Sequence, residues 1–563
     1  MQKSVGLAAI LLSIALGSAL DAQQLHGVVR DSASGQPIPA AVLMLLDGSG
    51  AILGRNITNE RGEYLIAMSS QMRRVRVVRI GFRPREVAIP TLVEGRAELP
   101  IAMRALPAFL EPVRVVAGAQ CPRRPDEART FALLEQARAG LLAIVVAREA
   151  NPAALVRLMF ERNMEGDGDR VAHQTVKIDS TPRTAISFNA AHTATDFIQR
   201  GFMSDSGRQH IFYAADADVL LDPGFAAGYC FRIVDAGHDR PDQIGLGFSA
   251  ADRRRGRIDI DGVLWVDTVA RALRGIEHRF VGLDYQVEAL RPGGYVSFRE
   301  MANGVMMIDR WSLRLIGGTP DTVRTPAFMA GRRLEAPTVQ VRLILRATEN
   351  GGEVARATWP DGNSWHASLG TLRVHATMSD GRAAAGVAVH LADTQYRAAA
   401  DSNGDIQIAD LIPGPYSLSV RDPRLLALDL EMETPIKFVA ERDSTSRQSL
   451  VVNTAEEFAV ARCVAHRRYT PGDSVFVVGR ALASDGKPEA GLVVALEQRI
   501  GQVTKPLSEP VTTDANGLFQ FCGRGLKLGM TIAIRAWRDG DAVSAGSFAL
   551  AENLTIIKLS VAP

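Results

Sequence analysis

The residues able to do chemistry are few, and their spacing argues against most chemistries. None of the ten histidines is followed three positions later by glutamate, and His-Glu-x-x-His is absent, so the usual ligand patterns of a zinc peptidase are missing. No Gly-x-Ser-x-Gly elbow and no phosphate-binding Gly-x-x-x-x-Gly-Lys-Ser/Thr loop occurs. His238 stands near Asp239 and Asp242, a set that reads as a charged surface loop before it reads as a dyad. His278 follows Glu277, and on a strand the two point to opposite faces. Asp401, Asn403 and Asp405 alternate like the start of a calcium loop, but Ile412 stands where the twelfth-position glutamate belongs, which favours a β-turn. No catalytic residue, no metal ligand and no cofactor is expected.

Arg73, Arg74, Arg76, Arg79, Arg83 and Arg85 make one stretch basic. A solvated strand face accounts for such a series, and contact with anionic glycans of the cell envelope is the sharper alternative. The whole chain has a net charge of only +2, which supplies no global attraction to nucleic acid or to an acidic membrane.

Four cysteines remain: Cys121, Cys230, Cys463 and Cys522. None forms Cys-x-x-Cys, and an even number in an exported chain favours disulfides over metal or redox use. Cys463 and Cys522 flank one sequence module, and Cys121 and Cys230 fall in or beside the central region, so these are the expected pairs. Export is expected from the N-terminus. Lys3, the apolar run Val5 to Leu16 and the small residues near Ala19 and Ala22 have the order of a cleaved signal peptide. That run is shorter than the roughly 20 residues a membrane span needs. The mature chain is expected to be soluble, without a membrane span and without a lipid-anchoring cysteine, in the periplasm or associated with the outer membrane or cell surface.

The elements that would position these residues come from internal repetition. Gly27, Asp31, Gly35, Pro37, Ala41, Val42, Thr58, Gly62 and Tyr64 form one cassette. Gly479, Gly486, Pro488, Thr513, Asp514, Gly517 and Phe519 form another, and Asp380-Gly381, Gly386 and Asp401 to Asp405 a weaker one between them. Short β-rich runs separated by Gly, Asp and Pro turns predict sandwiches. A length of 563 residues is too great for one core. The predicted order is a signal peptide (1–22), a sandwich (23–107), a linker and helix (108–153), a central antiparallel β domain (154–350), and second and third sandwiches (365–452 and 455–563). The fold class is mainly β and multi-domain: several transthyretin/Ig-like β-sandwich modules plus a central antiparallel sheet with one long helix.

That helix is predicted over Asp126 to Glu149, where Leu133, Leu134, Ala137, Leu141, Ile144 and Val145 recur at helical spacing. Pro125 marks its start and Asn151-Pro152 its stop. In the central region, 257–267 has turn chemistry between two β runs, 274–287 reads as a strand pair, and Asn303-Gly304 as a hairpin turn. The stretch 317–337, with Pro320, Pro326 and Pro337, reads as a long loop. Trp265 and Trp311 read as core residues.

The first cassette resembles the carboxypeptidase regulatory-like domain, a small transthyretin-like sandwich also found at the N-terminus of energy-coupled outer-membrane receptors. The last cassette is similar. The resemblance covers about half the chain and implies fold rather than function. The receptor's own barrel is not expected, because too few residues remain and the chain ends in Val561-Ala562-Pro563. The resulting expectation is an exported envelope protein that binds or scaffolds a protein or glycan partner. The central unit would do the binding, with the sandwiches as spacers. Alternatives are a carbohydrate-binding protein and a hydrolase with its site in 154–346.

Overall fold

The computed structural model describes residues 23–106, 121, 126–165, 170–180, 192–205, 210–252, 256–301, 306–325, 328–329, 332–333, 338–421, 436–465, 474–500, 503–523 and 525–561. The predicted signal peptide, the linker stretch 107–120, Pro125 and the Asn303-Gly304 turn lie outside the described residues. The chain forms two compact units. One comprises Met1–Leu155, Thr181–Ile316 and Ala357–Trp365; the other Val156–Ser180, Gly317–Arg356 and His366–Pro563.

The first unit begins with a sandwich of two four-stranded sheets. Glu63–Ala67, Arg96–Glu98 and Ile101–Met103 pair with Gln24–Asp31 in one sheet, and Ile52–Ile57, Val42–Leu46, Arg74–Val78 and Arg85–Ala88 form the other. Strand alternation sends Leu43, Leu45, Val75 and Val77 into the core, where they meet Leu25, Val29, Tyr64 and Ile66. The Tyr64 hydroxyl donates to the Leu99 carbonyl at 2.5 Å, and burial raises its pKa.

The cassette repeats as structure. In each sandwich the first strand is flanked by an antiparallel neighbour and a parallel C-terminal strand. In each, an Asx turn precedes the antiparallel neighbour. Asn59 Oδ1 accepts from Arg61 and Glu63 N–H, Asp401 Oδ1 from Asn403 and Asp405 N–H, and Asp514 Oδ1 from Asn516 and Leu518 N–H, all at 2.8 to 2.9 Å. The turn glycines Gly62, Gly404 and Gly517 have φ of +70°, +82° and +71°. A Cβ at any of them would lie 2.1 to 2.6 Å from a backbone oxygen of the first strand. Local turn chemistry and close backbone approach thus require the same residue.

The long helix, α1, spans Glu127–Ala150. By length and composition alone it could cross a bilayer. Instead it is a core helix, as its two packed faces show. Ala143 and Val146, with Ala139 and Leu142, cover Val42, Val78 and Ile57 on the outer face of the first sandwich. On another side, Gly140 lies against Leu273 of the central sheet. The first sandwich is therefore no free spacer: its outer apolar row is part of the core that holds α1.

In this unit the central sheet is an antiparallel meander of Tyr229–Asp235, Gln243–Ala250, Asp259–Asp267, Ala272–Val281, Gly293–Glu300 and the strand beginning at Met306. The turn expected within 257–267 is absent: Asp259–Asp267 is one strand, and Gly262 sits within it to admit the Phe248 ring. The turn comes later, where Asp267 Oδ1 accepts from Val269 and Ala270 N–H at 2.9 and 2.7 Å. The run 274–287 is not a strand pair, since a single strand, Ala272–Val281, fills its first part and its last three residues begin the short helix Tyr285–Ala289. The stretch 317–337 is not a loop throughout. The strand Met306–Thr325 runs through Pro320, and Phe328–Met329 pairs with Arg332–Arg333.

In the second unit the strands Ala154–Glu165 and Arg170–Asp179 form a hairpin. Their Leu158, Phe160 and Val176 join Leu372, Val389, Leu418 and Ile406 in the core of the second sandwich. The third sandwich has a core around Val477, Val494, Leu496, Phe519 and Ile534. A helix, Ala455–Ala465, lies on its outer face and buries Ala459 and Cys463 against Phe476, Val478 and Leu554.

Candidate binding cleft

The basic stretch found in the sequence divides once folded. Arg73 donates to the Ser70 and Met72 carbonyls, Arg74 pairs with Glu86 at 2.5 Å, and Arg85 donates to the Ala102 carbonyl at 2.7 Å. Arg76 and Arg79 line a cleft of about 430 Å³ beside α1. Sequence reasoning missed its other two arginines, Arg55 and Arg138.

Strand register builds the cleft's basic edge. On the outer face of the first sandwich, Met44 is directly opposite Arg55 on one neighbouring strand and Arg76 on the other. The next row on that face, Ile57, Val42 and Val78, is apolar and lies under α1. The face thus changes from a buried row to a basic row where the helix gives way to the cleft. Glu86 is opposite Arg76 across the sheet but bonds Arg74 instead. Arg55 and Arg76 consequently have no hydrogen-bond or ion-pair partner among the described residues. Two strand spacings separate their backbones, roughly 10 Å.

The other two arginines are engaged. Arg79 is 9% exposed; its Nε donates to the Pro39 carbonyl at 3.1 Å and a terminal nitrogen meets Glu300 at 3.3 Å. Burial lowers its pKa, and the Glu300 carboxylate acts in the opposite direction. Arg138 donates to the Leu221 carbonyl at 3.2 Å. Two of the acids on the wall are also committed, Asp218 to Arg148 at 3.0 Å and Asp222 to the Gly224 N–H at 2.7 Å. Gly81 N–H donates to Gln136 Oε1 at 2.6 Å and ties α1 to the segment after Arg79. The result is a frame with aliphatic walls from Met44, Ala139 and Leu142, in which Arg55, Arg76 and Glu135 have no side-chain partner among the described residues.

The remaining candidates occupy other places. Cys121 is disulfide-bonded to Cys230, and Cys463 to Cys522, with Cα separations of 5.6 and 6.0 Å. His238, Asp239 and Asp242 are exposed in the turn after Tyr229–Asp235, and no side-chain hydrogen bond joins them. Glu277 faces outward and pairs with Arg240, while His278 is buried on the other face. Burial pushes the His278 pKa down to about 4. Asp401 is consumed by its turn and Asp405 pairs with His375 at 2.8 Å. Among the described residues, no group of three or more His, Cys, Asp or Glu side chains is placed to hold a metal ion. Trp265 and Trp311 are both buried, and Arg240 lies over the Trp265 ring.

No protein-family model and no curated protein matches the chain. Among solved structures, a streptococcal ancillary pilin is similar over 40% of this chain and 82% of its own, at 12% identity and a TM-score of 0.16. The Bacillus anthracis TIE protein covers 64% of this chain and 63% of its own, at 11% identity and a TM-score of 0.14. Shaft pilin SpaA from Lactobacillus rhamnosus GG covers 35% and 98%, at 9% identity and a TM-score of 0.14. Likeness at this level fixes neither function nor fold.

Proposed function

We propose that this chain is an exported binding protein of the cell envelope, that it has no catalysis of its own, and that the cleft beside α1 takes an anionic envelope component. The observation that carries this reading is the pair Arg55 and Arg76, two guanidiniums with no hydrogen-bond or ion-pair partner among the described residues, on a sheet face that borders a cavity. Loops and clefts on a stiff frame are where binding function concentrates. The lining offers guanidiniums, carboxylates and aliphatic groups, which suit recognition more than bond-breaking. Two disulfides support an oxidising compartment. The threefold Asx turn and the matching Thr58 and Thr513 support reading the sandwiches as carboxypeptidase regulatory-like modules.

The test compares residues 23–563 with the Arg55→Ala/Arg76→Ala variant for retention of envelope fractions at low and high salt. Salt-sensitive retention by the wild type, lost in a variant of unchanged melting temperature, is expected. Equal retention by both proteins overturns the assignment of the cleft.

A further inference from the structure

We infer that the ligand of this cleft is an anionic amphiphile, a single acyl or alkyl chain ending in a phosphate or carboxylate. The inference rests on the binding function proposed above and narrows it to a ligand class.

Three features of the cleft select that class. The first is the supply of donors. Arg55 and Arg76 each present a guanidinium with up to five N–H donors, and Glu86, the nearest acid in register, is held by Arg74. A phosphate or carboxylate is the group that satisfies such donors with bidentate geometry. The second is the shortage of acceptors. Asp218 and Asp222 are engaged with Arg148 and Gly224 N–H. A neutral sugar needs acceptors as well as donors for its hydroxyls, and here Glu135 is the wall carboxylate left to serve it.

The third is the apolar character between and behind the charges. Met44 separates the two arginines, and the cavity continues past Ala139, Leu142 and Leu221. A hydrophilic polyanion would leave that wall in contact with water, whereas a hydrocarbon chain would cover it. A volume of about 430 Å³ lies in the range of pockets that enclose small ligands. With two guanidiniums roughly 10 Å apart, one is free to take the headgroup while the chain lies over Met44.

Isothermal titration of residues 23–563 with dodecyl phosphate below its micelle concentration tests this. Inorganic phosphate, dodecyl maltoside and polygalacturonate serve as anion-only, tail-only and polyanion probes. Saturable binding of dodecyl phosphate with one ligand per chain is expected, at least tenfold tighter than any of the three controls. It should weaken at least tenfold in Arg55→Ala/Arg76→Ala. Met44→Glu, which places a carboxylate between the arginines on a partly exposed site, should weaken it similarly, with far-ultraviolet circular dichroism unchanged in both variants. Tighter binding of polygalacturonate or inorganic phosphate, equal binding of dodecyl maltoside, or insensitivity to all the variants overturns the inference. Arginine-dependent retention of envelope material alongside failure of dodecyl phosphate sinks the amphiphile and leaves the binding function standing.

Discussion

Thr513 does in the third sandwich what Thr58 does in the first. Each hydroxyl accepts from a backbone N–H at 2.9 Å, that of Leu492 or Ala41, and donates to a carbonyl at 2.8 Å, that of Glu489 or Ile38. Both threonines are buried, so a near-isosteric Thr→Val change strands an N–H and a C=O away from water at Thr58, and at Thr513 a buried N–H together with a partly buried C=O. The expected cost is about 1–3 kcal/mol per site. Thr→Ser, which keeps the hydroxyl, should cost less. Urea unfolding of the four single variants measures both, and a neutral Thr58→Val would show that the paired bonds do not hold the sandwich.

Thr58 and Thr513 were visible in the sequence as members of a repeated pattern because turn chemistry is local. Asn59, Gly62 and Tyr64 are within a few residues of each other, and the φ each turn demands restricts the residue allowed. The α1 helix was legible for the same reason, within one residue at each end. The helix Ala455–Ala465 was missed although Thr454 and Glu457 form a reciprocal capping box, with bonds of 2.8 and 3.1 Å. The strand through Asp261-Gly262 was misread because the glycine there answers a tertiary need, room for Phe248, and only mimics a turn. The binding cleft was half legible. Arg76 and Arg79 belonged to a conspicuous series, but Arg55 and Arg138 reach the same place through strand register and helix docking, which no local pattern encodes.

The Cys463–Cys522 bond staples the helix Ala455–Ala465 to the third sandwich. Eleven residues are too few for a stable isolated helix, so this one depends on its docking. With 59 residues of separation, removing the bond by Cys463→Ser/Cys522→Ser should cost roughly 4 kcal/mol on the chain-entropy account. The helix should then become the first site cut by protease. Non-reducing peptide mapping of the exported protein should recover Cys463 with Cys522 and Cys121 with Cys230. Recovery of four free thiols would contradict both pairings and the oxidising compartment.

His278 makes stability depend on pH in a stated direction. Its pKa falls from the ordinary 6.5 to about 4 in the folded chain because the ring is buried beside Phe280. Between those values the unfolded chain takes up a proton that the native chain refuses. Its contribution is therefore fully present above about pH 6.5 and lost as pH falls towards 4, by roughly 3 kcal/mol in all. His278→Leu should flatten this part of the profile. Urea midpoints at pH 7.5, 5.5 and 4.5 for both proteins give the difference, and parallel profiles would show that the ring titrates normally.

Gly140 sets helix propensity against packing. An exposed mid-helix Gly→Ala change stabilises by about 1 kcal/mol, and the α1 sequence taken alone predicts that gain. In the fold, a Cβ at Gly140 would lie 2.7 Å from Leu273 Cγ and 2.9 Å from its Cδ1. Leu273 is fully buried, so it has little room to yield. Overpacking of this kind costs about 1–3 kcal/mol, enough to cancel or exceed the propensity gain. Gly140→Ala should therefore be neutral to destabilising by up to about 2 kcal/mol. In a Leu273→Ala background, where the obstructing atoms are gone, the same change should become stabilising. A double-mutant cycle by thermal unfolding reads this reversal of sign directly. If Gly140→Ala stabilised both backgrounds equally, α1 would not approach the central sheet as closely as Leu273 requires.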